Sequence, residues 1–162
     1  MIDTSKKFLV AGAGKSGIGS VNLLLKTGAD VSLYDGNEEL DKEALFEKLY
    51  EKKEISLVLG NITKEDIEKY DLLVLSPGIS VNAPIAQMFY DQEKPVWSEI
   101  ELAYQASKGK IAAITGTNGK TTTTALTGEI MKGYYESSFV VGNIGIPYTS
   151  VALDTQENSV IT

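Results

Sequence analysis

Thr115-Gly116-Thr117-Asn118-Gly119-Lys120-Thr121-Thr122-Thr123 is the stretch whose residue types and spacing could do chemistry. A Gly-Lys-Thr behind an apolar run and ahead of a helical pattern is an arrangement that holds nucleotide triphosphates. Ile111 to Ile114 read as a short buried strand, and Ala125, Leu126, Ile130 and Met131 recur at helical spacing, so the loop falls where a strand meets a helix N-terminus. Unpaired amides and the positive end of the helix dipole face an anion there, and glycines let the backbone come close. Gly116 and Gly119 would let the loop approach a nucleotide triphosphate, expected to be ATP, with Lys120 on the β/γ phosphates and Thr121 on Mg2+. The loop is shorter than the general GxxxxGK[ST] pattern, which would put a glycine where Ile114 stands. Gly-Lys-Thr also occurs in ordinary loops; four consecutive threonines, mediocre helix formers, are a poor choice for stability alone.

A second glycine motif lies near the N-terminus. Gly12-Ala13-Gly14-Lys15-Ser16-Gly17 follows the apolar run Phe8 to Ala11, and Asp35 ends the next apolar run. Such a loop admits a diphosphate to a helix N-terminus, and the acid after the second strand reads a ribose. The pattern specifies a nucleotide-like diphosphate without naming its base; NAD is the default alternative, and a tight turn without ligand is the bland one. Ser76-Pro77-Gly78 follows the run Leu72 to Leu75, which puts its loop at the same carboxyl edge of a parallel sheet. Gly142-Asn143-Ile144-Gly145 after Phe139 to Val141 is a further loop, in which Asn143 either binds ligand or satisfies loop amides.

Composition restricts the chemistry. With no cysteine and no histidine, disulfides, thiolates and imidazole mechanisms are out, leaving Lys, carboxylates, hydroxyls, backbone amides and metal. A net charge of −7 offers no long-range attraction to nucleic acid or anionic membrane, so an anionic ligand must be held locally. The first residues lack a signal pattern and no apolar run is long enough to span a bilayer, so the expectation is a cytoplasmic protein without membrane or nucleic-acid partners; a monomer is expected beside this, not from it.

The elements that must position these loops alternate between short apolar runs and helical patterns, which predicts an α/β fold of parallel βαβ units. Strands are expected at Phe8 to Ala11, Val31 to Tyr34, Ser56 to Leu59 and Leu72 to Leu75, with an edge strand or connector at Pro95 to Trp97. Helices are expected at Gly17 to Lys26, at Asp41 to Lys52, after the capping box Thr63 to Asp66, from about Pro84, and from Ser98 to near Gly109. The reading is a Rossmann-like domain over residues 1–98 and the first part of a phosphate-loop α/β domain over 99–162. Residues 123–162 hold only Glu129, Glu136, Asp154 and Glu157 as acids, none at a strand end where magnesium would need one, so this reads as the N-terminal part of a longer protein.

The order AGAGKSG, YD, LSPGIS, SEIEL, ITGTNGKTTT and GNIGIP, along the whole chain, resembles the Mur ligases of peptidoglycan synthesis, in particular the MurD type. The shortened phosphate loop is the one that this family carries. The resemblance implies an ATP-dependent ligase that adds D-glutamate to UDP-N-acetylmuramoyl-L-alanine through an acyl phosphate. Its N-terminal domain would hold the UDP end of the substrate in place of NAD, and a central domain would hold ATP. It also implies that Gly14, Lys15, Ser16, Asp35, Gly36, Ser76, Pro77 and Gly78 line the UDP site. Asn143 would touch the phosphate or sugar arm, and Gly116, Thr117, Asn118, Gly119, Lys120, Thr121 and Thr122 would cradle ATP, with Lys120 on the transferring phosphoryl group and Thr121 on Mg2+. This segment would bind ligands without catalysing. An NAD-dependent oxidoreductase would use the first glycine loop and Asp35 equally well but leaves TGTNGKTTT unexplained; a nucleotide-binding module without chemistry is the third reading.

Overall fold

A computed structural model describes residues 2–142 and 146–162. Its contacts divide the chain into two units, Met1–Leu102 and Ala103–Thr162. The first is a five-stranded parallel sheet of β1 (Lys7–Ala11), β2 (Asp30–Asp35), β3 (Ser56–Leu59), β4 (Leu72–Leu75) and β5 (Val96–Ser98), in the order β3-β2-β1-β4-β5. Helices α1 (Lys15–Thr27), α2 (Lys42–Phe46), α3 (Lys64–Ile67) and α4 (Pro84–Asp91) connect the strands. β1 and β4 are buried almost throughout, because a parallel sheet covered on both faces demands apolar runs. One core cluster gathers Leu9, Ala11, Leu73 and Leu75 of the sheet against Ile67, Ile85 and Phe89 of the helices. Each of the leucine, isoleucine and phenylalanine side chains contributes about 1.5–3 kcal/mol when fully withdrawn from water.

Most expected elements stand within two residues of their sequence positions, for local reasons. Gly28 stops α1 in the left-handed conformation, its N–H on the Leu25 carbonyl. Pro84 begins α4, and Thr63 and Asp66 close the expected capping box. Lys94 Nζ donates to the Ile67 and Glu68 carbonyls at 2.9 Å, capping the C-terminal end of α3 from 26 residues away.

The helix expected over Asp41 to Lys52 is corrected: α2 ends at Phe46, and Tyr50–Lys52 form a 3₁₀ turn in which Glu51 and Lys52 have φ of 55° and 50°. The cause is tertiary. Asn22 on α1 donates to the Lys48 carbonyl and accepts from the Tyr50 amide at 2.6 Å, taking backbone groups that a continuous helix would need.

The second unit holds a three-stranded parallel sheet in the order β6-β8-β7, of β6 (Lys110–Ile111), β7 (Ser137–Phe139) and β8 (Ser159–Ile161). The strand expected at Ile111 to Ile114 is corrected here. β6 stops at Ile111, with one further bond from the Ala112 amide to Ile161, so the Ile111 to Ile114 run is mostly loop; β7 begins two residues before Phe139. β8 is short, and its register with Ser137, Ser138 and Phe139 decides which residues pair. Helix α5 (Glu99–Ala106) starts with the Glu101 amide on Ser98 Oγ at 3.1 Å, and α6 (Lys120–Met131) follows the threonine-rich loop. A short helix, α7 (Tyr148–Val151), places the Tyr148 hydroxyl 2.6 Å from Ser107 Oγ.

Candidate functional site

Three loops at the carboxyl edge of the first sheet build a cleft of about 480 Å³. The β1–α1 loop brings Gly14, Lys15 and Ser16, the end of β2 brings Asp35 and Gly36, and the loop after β4 brings Ser76, Pro77 and Gly78. The cleft thus joins every described residue expected at the UDP site; Asn143 lies outside the described residues. β1 lies between β2 and β4, so the chain moves outward in both directions from this point and the loops diverge, leaving the crevice where open parallel sheets bind ligands.

The first loop is bound tightly to its surroundings. The Gly12 amide donates to the Tyr34 carbonyl at 2.7 Å, extending the β1–β2 ladder by one residue, and Gly12 then turns at φ 98°. An ideal Cβ on Gly17 would lie 1.7 Å from the Gly12 carbonyl oxygen, so α1 approaches its own entry loop as closely as glycine allows. α1 begins at Lys15, two residues before the sequence expectation, and its first ladder bond runs from the Ile18 amide to the Gly14 carbonyl. Amides of the first turn precede that bond and have no partner within the helix, which suits an anion. Lys15 is exposed at this edge and is the cation among the residues lining the cleft.

A second cavity of about 390 Å³ shares Tyr34, Gly36 and Ile79 with the first and runs on between Asn61, Ile62, Pro84 and Met88. Sequence reasoning singled out none of its further residues as a site, because Asn61 and Ile62 follow β3 with no glycine signature to mark them. A loop position after β3 in this strand order was the signal available.

In the second unit, Gly116 and Gly119 sit at φ 152° and 77°, and α6 begins at Lys120 with the Thr123 amide on the Gly119 carbonyl. The amides of Lys120, Thr121 and Thr122 therefore precede the helical ladder, and the loop from Thr115 to Thr123 is exposed. Lys120 Nζ folds back on its own loop, donating to the Gly116 carbonyl and, at 3.4 Å, to that of Thr117. The residues expected for ATP are thus brought together on one helix N-terminus. The side of α6 that faces inward carries Thr124 and Gly128, where a Cβ would meet Val140 Cγ2 at 2.3 Å. Leu126 and Ile130, apolar markers of the helix in sequence, are 60% and 51% exposed. Among the described residues no cluster of three acids, histidines or cysteines could hold a metal, and no helix is long and apolar enough to cross a membrane.

A parallel sheet in this strand order, with a glycine loop and a following acid at its switch point, defines a Rossmann-like unit. The family described as Mur ligase MurD-like, N-terminal domain, matches residues 6–98, and the chain belongs to that family. Among curated proteins it is 54% identical over 155 residues to the UDP-N-acetylmuramoylalanine--D-glutamate ligase of Lachnospira eligens. It is 52% identical to the protein of the same name from Lachnoclostridium phytofermentans. Each alignment covers 96% of this chain and 34% of the relative, so the chain spans about one third of their length. Among solved structures, a pseudomurein peptide ligase type C from Methanothermus fervidus aligns over 97% of this chain and 32% of its own, at TM-score 0.53 and 23% identity, which supports the fold.

Proposed function

We propose that the chain forms the substrate-binding domain, residues 1–98, and the first part of the ATP-binding domain, residues 99–162, of a ligase joining D-glutamate to UDP-N-acetylmuramoyl-L-alanine. The setting is peptidoglycan precursor synthesis by a cytoplasmic monomer. The observation that carries this reading is the pairing of two anion cradles in one chain: the switch-point cleft around Gly14 to Ser16, and the separate Gly116 to Thr122 loop opening α6. A dehydrogenase would use the first and have no task for the second, and the named relatives are ligases.

In the first cleft, the α1 amides and Lys15 take the diphosphate, while Ser76, Pro77 and Gly78 wall the opposite side. Asp35 and Gly36 close the end from which the second cavity continues, and Asn143 is proposed for the phosphate or sugar arm. In the second cradle the residues fit a polyphosphate: two glycines at positive φ keep Cβ atoms away, three amides precede the helical ladder, and a lysine already reaches over the loop. Lys120 would leave its carbonyls for the phosphoryl oxygens and neutralise charge as it accumulates there, and the Thr121 hydroxyl would hold Mg2+. ATP would supply the phosphoryl group that converts the substrate carboxylate to an acyl phosphate, leaving ADP, and the amine of D-glutamate would then displace inorganic phosphate to form the amide. Positioning and charge neutralisation therefore fall to this segment, with no nucleophilic side chain required.

Calorimetric titration with UDP-N-acetylmuramoyl-L-alanine and, separately, with NADH tests the reading. Binding of the UDP sugar alone is expected; binding of NADH alone would sink it.

A further inference from the structure

Asp35 is the residue that a dinucleotide fingerprint assigns to a ribose, yet its carboxylate is committed elsewhere. Oδ2 accepts from the Ala13 amide at 2.7 Å, and Oδ1 accepts from the Asn37 amide at 2.9 Å. The first bond joins residues 22 apart in sequence and is partly buried. It reaches across from the end of β2 to the residue just after the Gly12 turn, where the chain heads into α1. The second folds the chain after β2 back on itself, and that turn is braced in sequence by Asn37 Oδ1, which accepts from the Glu39 amide at 3.0 Å.

We infer that Asp35 is a positioning residue for the diphosphate, acting through Ala13, and not the reader of the nucleoside. This rests on the cleft being the UDP site. The loop that delivers the α1 amides is held from two sides. On one side Asp35 takes the Ala13 N–H; on the other, the Ser76 amide donates to the Ala11 carbonyl at 3.1 Å and Ser76 Oγ lies 3.4 Å from the Gly12 carbonyl. Gly17, whose Cβ would strike Gly12 O, packs the helix onto the same loop, so a shift of Ala13 moves the first turn of α1 with it. A bare carboxylate beside a diphosphate would repel it, whereas one accepting from two backbone amides has part of its charge neutralised by the protein. Asp35 supplies at the loop what a neutral residue could not: a charge-assisted bond that holds an N–H in one direction.

Asp35→Asn in the 162-residue chain separates positioning from contact, because asparagine keeps one acceptor and turns an NH2 toward one of the two amides. UDP is titrated by calorimetry and uridine, which has the nucleoside without phosphate, by ligand-observed NMR. Loss of a charge-assisted bond predicts a fall of about tenfold or more in UDP affinity, with uridine changed by less than about twofold. The Ala13 amide proton, observed without ligand, moves upfield in the variant. Equal weakening of UDP and uridine, or no change in either, would overturn the assignment. An unmoved Ala13 resonance would overturn it independently of any ligand. If the wild-type chain binds neither compound while its Ala13 resonance responds to the variant, the reading of the cleft fails and the Asp35–Ala13 bond stands. Should Asp35→Asn not fold, Ser76→Ala loosens the same loop from the opposite side and must show the same phosphate-selective loss.

Discussion

Lys120 is exposed and, among the described residues, bonded to carbonyls of its own loop, so removing its ammonium leaves no buried charge or broken core. Lys120→Ala, in a ligase of full family length carrying this segment, is expected to lower ATP-dependent ligation by at least about a thousandfold, the scale of losing a cation at a phosphoryl-transfer centre. UDP binding should be unaffected; measurement of phosphate release together with UDP calorimetry checks both, and turnover within tenfold of wild type would remove Lys120 from the mechanism. Gly17→Ala acts differently. Its methyl would stand 1.7 Å from the Gly12 carbonyl oxygen, so loop or helix must move. The expectation is a destabilisation of about 1–3 kcal/mol in urea unfolding, accompanied by weakened UDP binding. Unchanged stability would mean that the α1 entry has slack absent from this geometry.

At the scale of elements, α3 shows how a helix of four residues, Lys64–Ile67, is held at both ends. Lys94 takes its last carbonyls, and at its start Asp66 Oδ2 accepts from the Thr63 amide at 2.9 Å and the Thr63 hydroxyl at 2.8 Å. The Thr63 backbone bond, then its side-chain bond, hold the Asp66 carboxyl below its ordinary value of 3.8. A carboxyl lowered by folding adds stability at pH above the unfolded value, and that stability is lost as pH falls through the folded one. Asp66→Asn should therefore be less stable than wild type at neutral pH, with the difference shrinking below about pH 4. Urea midpoints at pH 7 and pH 3 test the sign. A gap that stays constant would mean that the ionised carboxylate adds nothing to the cap.

For the molecule as a whole, each residue that lines the switch-point cleft lies within Met1–Leu102, which has its own sheet and core. A chain truncated after Ala106, which retains α5 entire, is expected to unfold cooperatively and to bind UDP within about twofold of the longer chain, since no lining side chain is lost. Calorimetric melting and UDP titration decide it; an unfolded product would show that the first unit depends on residues beyond α5. The second unit has less to stand on: β6 is exposed, β7 is half-buried, and α6 presents Leu126 and Ile130 outward.

Apolar runs and their punctuation determined the α/β class, the first four strands of the first sheet and the two glycine loops. These are local properties: a buried parallel strand needs a continuous apolar run, and a phosphate loop needs glycine where the backbone turns. Stops such as Gly28 and caps such as Thr63 were legible for the same reason. What only the tertiary structure decided were matters of partners distant in sequence. Asn22 ends the helix expected over Asp41 to Lys52, β8 determines how much of β6 and β7 pairs, and Val140 makes Gly128 the inward face of α6. The role of Asp35 belongs with these. Its position after β2 was plain from sequence, but that its oxygens turn to Ala13 and Asn37 depends on how closely the β1 and β2 loops lie, a distance that no spacing along the chain encodes.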